Sequence, residues 1–487
     1  MTQSSAPPDR AGWDRPTISA AVALAAAAAF FAVGTLIRVS LWLEEPNEGW
    51  NGLHAMAAFS RALYPAPPAL VLNNYPPLWF YLTGALAEVF GDPIFPGRVV
   101  GLIAFAWTAA AIFVLARGLK IGAPATLIGA LGFAVTVEAF FGLEAGLAEP
   151  QMLAHAMAAT AAAMALGATQ RRTVVAAALL TVVALLVKQV AIGLPLAVTL
   201  WLLWRRRDLA LVWIVTGAVA AALALAALAL GYGPPFLGAL TAPRYLSAER
   251  LGTSLGLTMR VVVPLVAFAV VAVAARRRRD EALAFAALAV GAAFVPLVVF
   301  GSALGVSVNI GLDLAIAANL GLAAAWSRAA TALGSRAGLW RGGVLAAFVV
   351  VLATELGGDA AQLAINPAAR AALARQSASN LALRDRLRGV SGPVACETLS
   401  VCDWAGKPSV ADLWKLRHET TLAFMNPAPL LAGIRAGRLG AVVTMGPVAS
   451  PADDGHLPGL AAALAAGYAQ PMVFPAGGAL YLPKPRP

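Results

Sequence analysis

Apolar runs long enough to form membrane helices recur along the chain, separated by short polar stretches. A spanning helix needs about 20 mostly apolar residues. Eleven segments approach or meet that length: 18 to 42, 98 to 116, 122 to 140, 150 to 168, 173 to 187, 190 to 204, 209 to 231, 256 to 275, 281 to 300, 308 to 327 and 340 to 357. The pair flanking Lys188 is too short to cross fully and return, which puts Lys188 at an apex reached part-way from one surface. Three stretches break the pattern. Residues 43 to 97 hold two short helix-like runs, 47 to 63 and 77 to 90; residues 232 to 255 form a loop opened by Pro and Gly; residues 358 to 487 are far more polar. That last stretch begins a helix at Asn366 and Pro367, a cap and first-turn pair, and carries it to about Arg388. Strand-like Pro393 to Ser400, helix-like Pro429 to Arg438, strand-like Ala441 to Met445, helix-like Leu457 to Ala466 and short extended runs near Met472 and at Leu480 to Leu482 follow. The expected architecture is an all-α polytopic membrane domain over 18 to 357, behind a cytoplasmic tail at 1 to 17. A small α/β domain at 358 to 487 lies on the far side of the membrane.

Composition removes the soluble alternatives. The 487 residues are 60% hydrophobic and 12% charged, against roughly 45–50% and about 25% in an ordinary soluble domain. The net charge of +11 does not indicate a nucleic-acid binder, because the basic residues cluster between the apolar runs as they do in cytoplasmic loops. With eleven helices, Arg10 and Arg15, Arg117 and Lys120, Arg171 and Arg172, Arg205 to Arg207, Arg276 to Arg279, and Arg328, Arg336 and Arg341 all fall on one face. The opposite loops are acidic, with Glu44, Glu45, Glu48 and Asp92 in the first and Glu138, Glu144 and Glu149 around the second. The N-terminus is therefore expected in the cytoplasm and the terminal domain outside it. The first segment is long, alanine-rich and followed by no small-residue cleavage site, so it reads as a retained anchor.

Candidate chemistry concentrates on the acidic side. Asn47, Asn51 and His54 share one helical stripe by spacing, and Glu48 falls in that helix's first turn, where the dipole favours a carboxylate. Such a group could serve as a general base; equally, the acids could be a solvated loop obeying the charge asymmetry. Asn73-Asn74-Tyr75-Pro76-Pro77 is a stiff extended arm able to fix Tyr75 and the asparagine amides, or simply a turn before an interfacial helix. Glu149, Gln151 and His155 sit at the mouth of the fourth segment, and ionisable groups at membrane depth are expensive enough to suggest function. A divalent cation could be shared by Glu48 and Glu149, although no spacing requires one. Arg98, Lys188 with Gln189, and Arg244 supply positive charge for an anionic substrate. Cys396 and Cys402, with five residues between them, are placed in a compartment that permits a disulfide.

These motifs carry a resemblance. Asn47-Glu48-Gly49-Trp50-Asn51 after the first spanning helix, then Leu63-Tyr64-Pro65, Asn74-Tyr75-Pro76-Pro77-Leu78, Gly91-Asp92, Gly97-Arg98 and Glu149-Pro150-Gln151 resemble the polytopic GT-C glycosyltransferases. Within that fold they resemble the protein O-mannosyltransferase and aminoarabinose-transferase group of bacterial inner-membrane enzymes, glycosyltransferase family 39-like. The resemblance covers about the first 200 residues well and the eleven-helix plan with a periplasmic domain more loosely. It implies transfer of a sugar, with inversion, from a polyprenyl-phosphate donor to a glycan, lipid or protein acceptor at the periplasmic face, with no cofactor required. By the same resemblance Glu48 is the base, Glu149 is the acid of the second outer loop, and Arg98 and Lys188 hold the lipid phosphate. Two departures stand out: Asn47 occupies the position of the motif's usual aspartate, and Glu149 replaces the commoner aspartate. The competing readings are a transporter or lipid flippase, which lacks support from repeated halves, and a non-catalytic scaffold for envelope assembly.

Overall fold

The computed structural model describes residues 13–485 except Pro67, Leu143, Pro243, Arg279, Leu304, 422–424, 449–456 and 476–477. Arg10 and Arg279, counted above as topology signals, lie outside the described residues. Each apolar segment forms a helix: Arg15–Val39, Phe95–Gly118, Ala123–Phe140, Pro150–Leu166, Arg171–Val187, Gly193–Arg205, Arg207–Tyr232, Val262–Ala274, Glu281–Gly301, Leu312–Leu333 and Ala337–Thr354. Among the described residues, seven helical stretches are long and apolar enough to cross a membrane; one of them, Val308–Gly357, contains the last two helices. The helices Pro150–Leu166, Arg171–Val187 and Gly193–Arg205 are shorter. The chain is thus a multi-pass membrane protein.

Burial separates the centre of the bundle from its rim. From Leu312 to Ser327 every side chain of the Leu312–Leu333 helix is buried, as a helix surrounded by protein must be. In Arg207–Tyr232 only Leu209, Ala210 and Trp213 are buried, so most of its apolar surface faces outward to lipid. Ion pairs gather at the arginine-rich end. Arg341 pairs with Asp14 and Arg205 with Glu281, while Arg328 Nε donates to Asp280 at 2.5 Å. Asp14 and Asp280 also cap the helices they precede, accepting from the amides of Thr17 and Leu283, so each carboxylate satisfies a free amide and complements the helix dipole.

At the opposite end the first outer loop folds into the helices Pro46–Met56 and Leu78–Phe90, and residues 232–255 into Pro234–Leu240 and Ala248–Gly256. After Asp359–Ile365 comes the expected helix, Pro367–Arg388, capped by Asn366. The terminal region then builds a five-stranded mixed sheet from β1 (Val394–Cys396), β2 (Ser409–Asp412), β3 (Ala441–Thr444), β4 (Met472–Val473) and β5 (Ala479–Tyr481) in the order β2-β1-β3-β5-β4. β1 lies parallel to β2 and β3, and β5 antiparallel to β3 and β4. The expected strand from Pro393 to Ser400 ends at Cys396, because Leu399–Trp404 turns into a short buried helix. β2, with two polar residues among four, gave no hydrophobic pattern to read. A disulfide joins Cys396 to Cys402 and so ties β1 to that helix.

The sheet region does not hang free. The Leu399–Trp404 helix packs on Pro46–Met56 so closely that a Cβ at Gly49 would lie 2.5 Å from the Ser400 amide nitrogen; only glycine fits. Trp42 stacks edge-on against Trp404 at 5.0 Å, and its carbonyl accepts from Asn380 at 2.9 Å. One buried hydrophobic core runs from the bundle into Leu387, Val394 and Leu399.

Candidate functional site

Two cavities open on either side of the first turn of Pro46–Met56. Asn47 lines one and the adjacent Glu48 lines the other.

The Asn47 cleft takes its walls from both halves of the molecule. At its centre Lys188 forms a salt bridge with Glu149. Helix Arg171–Val187 stops at Lys188, whose extended backbone caps it, and the break before Gly193 carries the ammonium to the bundle's polar end. Glu149 precedes Pro150 as the N-cap of its own helix. Asn309 Nδ2 donates to both Glu149 oxygens, at 2.6 and 2.8 Å, and Gln151 Nε2 donates to the Asn309 carbonyl at 2.6 Å. The Lys188 ammonium also lies over the Tyr75 ring, 4.8 Å from its centroid. Tyr75 is itself fixed from three directions. Its amide donates to Asn73 Oδ1 at 3.0 Å, its carbonyl accepts from the Tyr64 hydroxyl at 2.7 Å, and Trp50 packs edge-on at 4.8 Å. Gln189 Nε2 donates to the Asn74 carbonyl at 2.9 Å, tethering the proline arm to the helix break. Arg244 lines the cleft with no hydrogen bond or ion pair among the described residues.

The far wall belongs to the sheet region: Glu397, Leu399, Asp412, Trp414 and Lys415. Lys415 Nζ donates to the Leu72 carbonyl at 3.0 Å and to Asn74 Oδ1 at 3.4 Å, and lies 4.4 Å from the Trp50 ring centroid. Asp412 begins the following helix and accepts from the Lys415 amide at 2.9 Å. Burial pushes its carboxyl up to about 6, against the pull of the Lys415 amide and ammonium.

The structure therefore gathers Asn47, Asn74, Tyr75, Glu149, Lys188 and Arg244 in one cleft and sets other candidates elsewhere. Glu48 and Arg98 pair with each other. Arg98 Nε donates to both Glu48 oxygens at 2.9 and 3.1 Å, Nη2 to Glu48 at 2.5 Å, and the Ala148 amide adds a further bond at 2.9 Å. Arg98's remaining contacts go to the carbonyls of Val39, Leu41 and Leu43. A guanidinium with every donor occupied has none for phosphate. Glu48 and Arg98, expected as base and phosphate ligand, are thus bonded to each other here, and the pair anchors the first outer loop. Asn51, His54 and His155 also leave the candidate site. Asn51 bonds back to the Asn47 carbonyl at 2.8 Å. His54 packs against Trp50 and Phe80, and burial with the nearby Lys415 charge holds it well below its ordinary value. His155 is fully buried behind Gln151, facing Asp313 at 3.8 Å. Glu48 and Glu149, suggested as sharing a cation, each pair with a different basic side chain, Arg98 and Lys188. Among the described residues no three His, Cys, Asp or Glu side chains converge as a metal site.

Asn309, Asp412 and Lys415 were not anticipated. Asn309 had a readable signal, a polar side chain at the outer mouth of an apolar segment. Asp412 and Lys415 had none, because only the docking of the sheet region brings them to the membrane face.

The apolar helical bundle, its outer loops and the terminal sheet region together enclose the ion-paired cleft. Residues 74–232, about a third of the chain, match the family model for dolichyl-phosphate-mannose-protein mannosyltransferase, and this span carries Asn74, Tyr75, Glu149 and Lys188. The fold matches the crystal structure of ArnT from Cupriavidus metallidurans bound to undecaprenyl phosphate with a TM-score of 0.61 at 16% identity, over 94% of this chain and 97% of that one. The apo state of the same protein matches with a TM-score of 0.61 at 16% identity, over 95% and 97%. No curated protein sequence matches the chain.

Proposed function

We propose that the protein is a bacterial inner-membrane glycosyltransferase that moves a sugar from a polyprenyl-phosphate donor to an acceptor at the periplasmic face, with inversion. The observation that carries this reading is the buried Lys188–Glu149–Asn309 cluster opening on the cleft beside Tyr75. The mannosyltransferase family model over this part of the chain and the undecaprenyl phosphate bound by the ArnT of the same fold support it. Arginine clusters on one face and acids on the other support a cytoplasmic N-terminus and a periplasmic sheet domain over 358 to 487.

In this reading Lys188 and Arg244 receive the donor phosphate, and Glu149 with Asn309 keeps the ammonium positioned when no donor is bound. Tyr75 and Asn74 hold the sugar. Lipid phosphate leaves readily as an anion, so the chemistry needs no cofactor and no general acid. The acceptor approaches from the sheet wall, opposite the phosphate, as inversion requires. With Glu48 and Glu149 engaged elsewhere, Asp412 is the base: its raised value lies near working pH, where proton transfer is most effective.

The test is turnover by purified protein incubated with polyprenyl-phosphate sugars and membrane extract as acceptor source, following free polyprenyl phosphate by mass spectrometry. The expected result is release by wild type, at least a 100-fold loss in Lys188→Ala, and in Asp412→Asn a loss of rate with donor affinity retained. Lack of release from every donor would favour a transporter or a scaffold. Undiminished turnover in Asp412→Asn would remove it as the base.

A further inference from the structure

The second cavity, on the Glu48 side, has a volume of about 280 Å³ and belongs to no step above. Its walls are the outer ends of the helices Arg15–Val39 and Ala123–Phe140, with Gly142, Gly146, Leu147, Arg260 and the segment 355–363. It is a built space: a Cβ at Gly34 would lie 1.9 Å from the Ala360 carbonyl oxygen, so the first helix and the Asp359–Ile365 helix form one continuous wall. Glu48 and Arg98 line this space already satisfied by each other.

Two groups in it, the buried Glu138 and the part-exposed Arg38, have no hydrogen-bond partner among the described residues. Glu138 is 3% exposed, and no described residue donates a hydrogen bond to its carboxyl group; Oε2 is wholly buried and unpartnered. Arg38 lies one residue before the end of its helix as Glu138 lies two before the end of the other, so both reach the same membrane interface. Arg38 forms no hydrogen bond or ion pair among the described residues; the carboxylates of Glu48, Glu45 and Asp359 act on it only at a distance. Arg260 is engaged, donating to the Phe140 carbonyl with its guanidinium 5.8 Å from the Phe141 ring centroid. A buried carboxylate oxygen without a partner is costly, and with the unpaired, part-exposed guanidinium at the same interface it points to a ligand with one cationic donor and one anionic acceptor.

We propose that this cavity binds a phospholipid with a phosphoethanolamine head, its ammonium on Glu138 and its phosphate on Arg38. The source is the bilayer rather than a soluble phosphoethanolamine. Phe31, Val39, Leu147 and Leu363 line the cavity, and Val33, Leu36 and Leu356 beside it are exposed apolar side chains that would face acyl chains. Charge selects against an anionic lipid: outside the closed Glu48–Arg98 pair, Glu138, Glu355 and Asp359 outnumber Arg38 and Arg260. A choline head presents no N–H to Glu138 and is the matched discriminator.

Native mass spectrometry of the full-length protein tests this, using micelles doped equally with phosphatidylethanolamine, phosphatidylcholine and phosphatidylglycerol of identical chains. Wild type is expected to retain the ethanolamine lipid about tenfold over the choline lipid, a margin set by the charge-assisted hydrogen bonds that only the primary ammonium makes. Glu138→Gln should erase that preference, and Arg38→Gln should weaken retention of all three lipids, each variant being checked for an unchanged thermal unfolding midpoint. Equal retention of ethanolamine and choline lipids by wild type, a preference for phosphatidylglycerol, or an ethanolamine preference that survives Glu138→Gln would each overturn the proposal. Competition by soluble O-phosphoethanolamine as effective as the lipid would overturn its membrane source.

Discussion

Glu48–Arg98 and Glu149–Lys188 are both buried carboxylate–cation pairs at the outer end of the bundle, and they show how little a pair of residue types says by itself. Arginine presents five donors in a fixed fork, and here every direction meets an acceptor, two carboxylate oxygens and three backbone carbonyls. Lysine presents a compact charge on a flexible stem, and Lys188 meets one carboxylate and an aromatic face while still bordering the open cleft. The first pair is closed and fixes the loop; the second leaves the ammonium with fewer partners, and in the proposed function it exchanges its carboxylate for a phosphate. Removing one member of a closed buried pair strands the other charge, at a cost of about 3–5 kcal/mol.

The sharpest way to break this comparison is to cut each pair once. Glu48→Gln and Arg98→Ala are expected to lower the unfolding midpoint strongly while the surviving folded protein keeps turnover within about threefold. Glu149→Gln and Lys188→Ala are expected to lose turnover by about 100-fold or more with a smaller change in midpoint. Thermal unfolding and turnover per folded molecule, measured on all four variants, check both halves. If Glu48→Gln lost turnover in full without losing stability, Glu48 would be a catalytic group after all.

That test also marks what was legible in the sequence. Hydrophobic periodicity over long apolar runs placed all eleven bundle helices and both short helices of the first loop, because a bilayer leaves the chain few alternatives. The polar residues at the ends of those runs named Glu149, Lys188, Asn74 and Tyr75. Pairing was not legible. Glu48 and Arg98 are 50 residues apart, and nothing local shows that each closes the other's hydrogen bonds. The short strand β2 and its Asp412 were invisible for a related reason, since Ala411 and Asp412 meet the first outer loop only through long-range contacts with Leu70.

A smaller effect sharpens the comparison from the side of the docked sheet region. Glu44 and Asp403 face each other where the Leu399–Trp404 helix covers the first loop. Burial, with the neighbouring Glu45 and Glu48 charges, pushes Glu44 up to about 8; burial, Glu44 and Asp92 push Asp403 well above the carboxylate range. Both folded values exceed the unfolded ones. Their stabilising contribution is therefore complete below about pH 4 and is lost as pH rises, through about 8 for Glu44. The unfolding midpoint should fall by on the order of 5 °C between pH 6 and pH 9, and Glu44→Gln should flatten the slope. A midpoint that rises over this window would mean that these acids are ionised and partnered in the folded protein.

The smallest expected effect concerns the Cys396–Cys402 disulfide, which closes a loop of only six residues' separation. A loop that short restricts the unfolded chain by about 2 kcal/mol. Its location gives it more reach than its energy, because it joins β1, which carries the chain towards Glu397, to the helix that packs on Gly49. Cys396→Ser with Cys402→Ser should lower the unfolding midpoint by only a few degrees. Protease cleavage within 390 to 440 should rise more than that, because the docking helix loses its tether to the sheet. Under the same conditions the bundle's own protease fragments should be unchanged. Equal loosening of bundle and sheet region would show that the two unfold as one unit, and the contrast between a closed pair that anchors the loop and an open pair that serves the cleft would then have to be measured on the whole molecule at once.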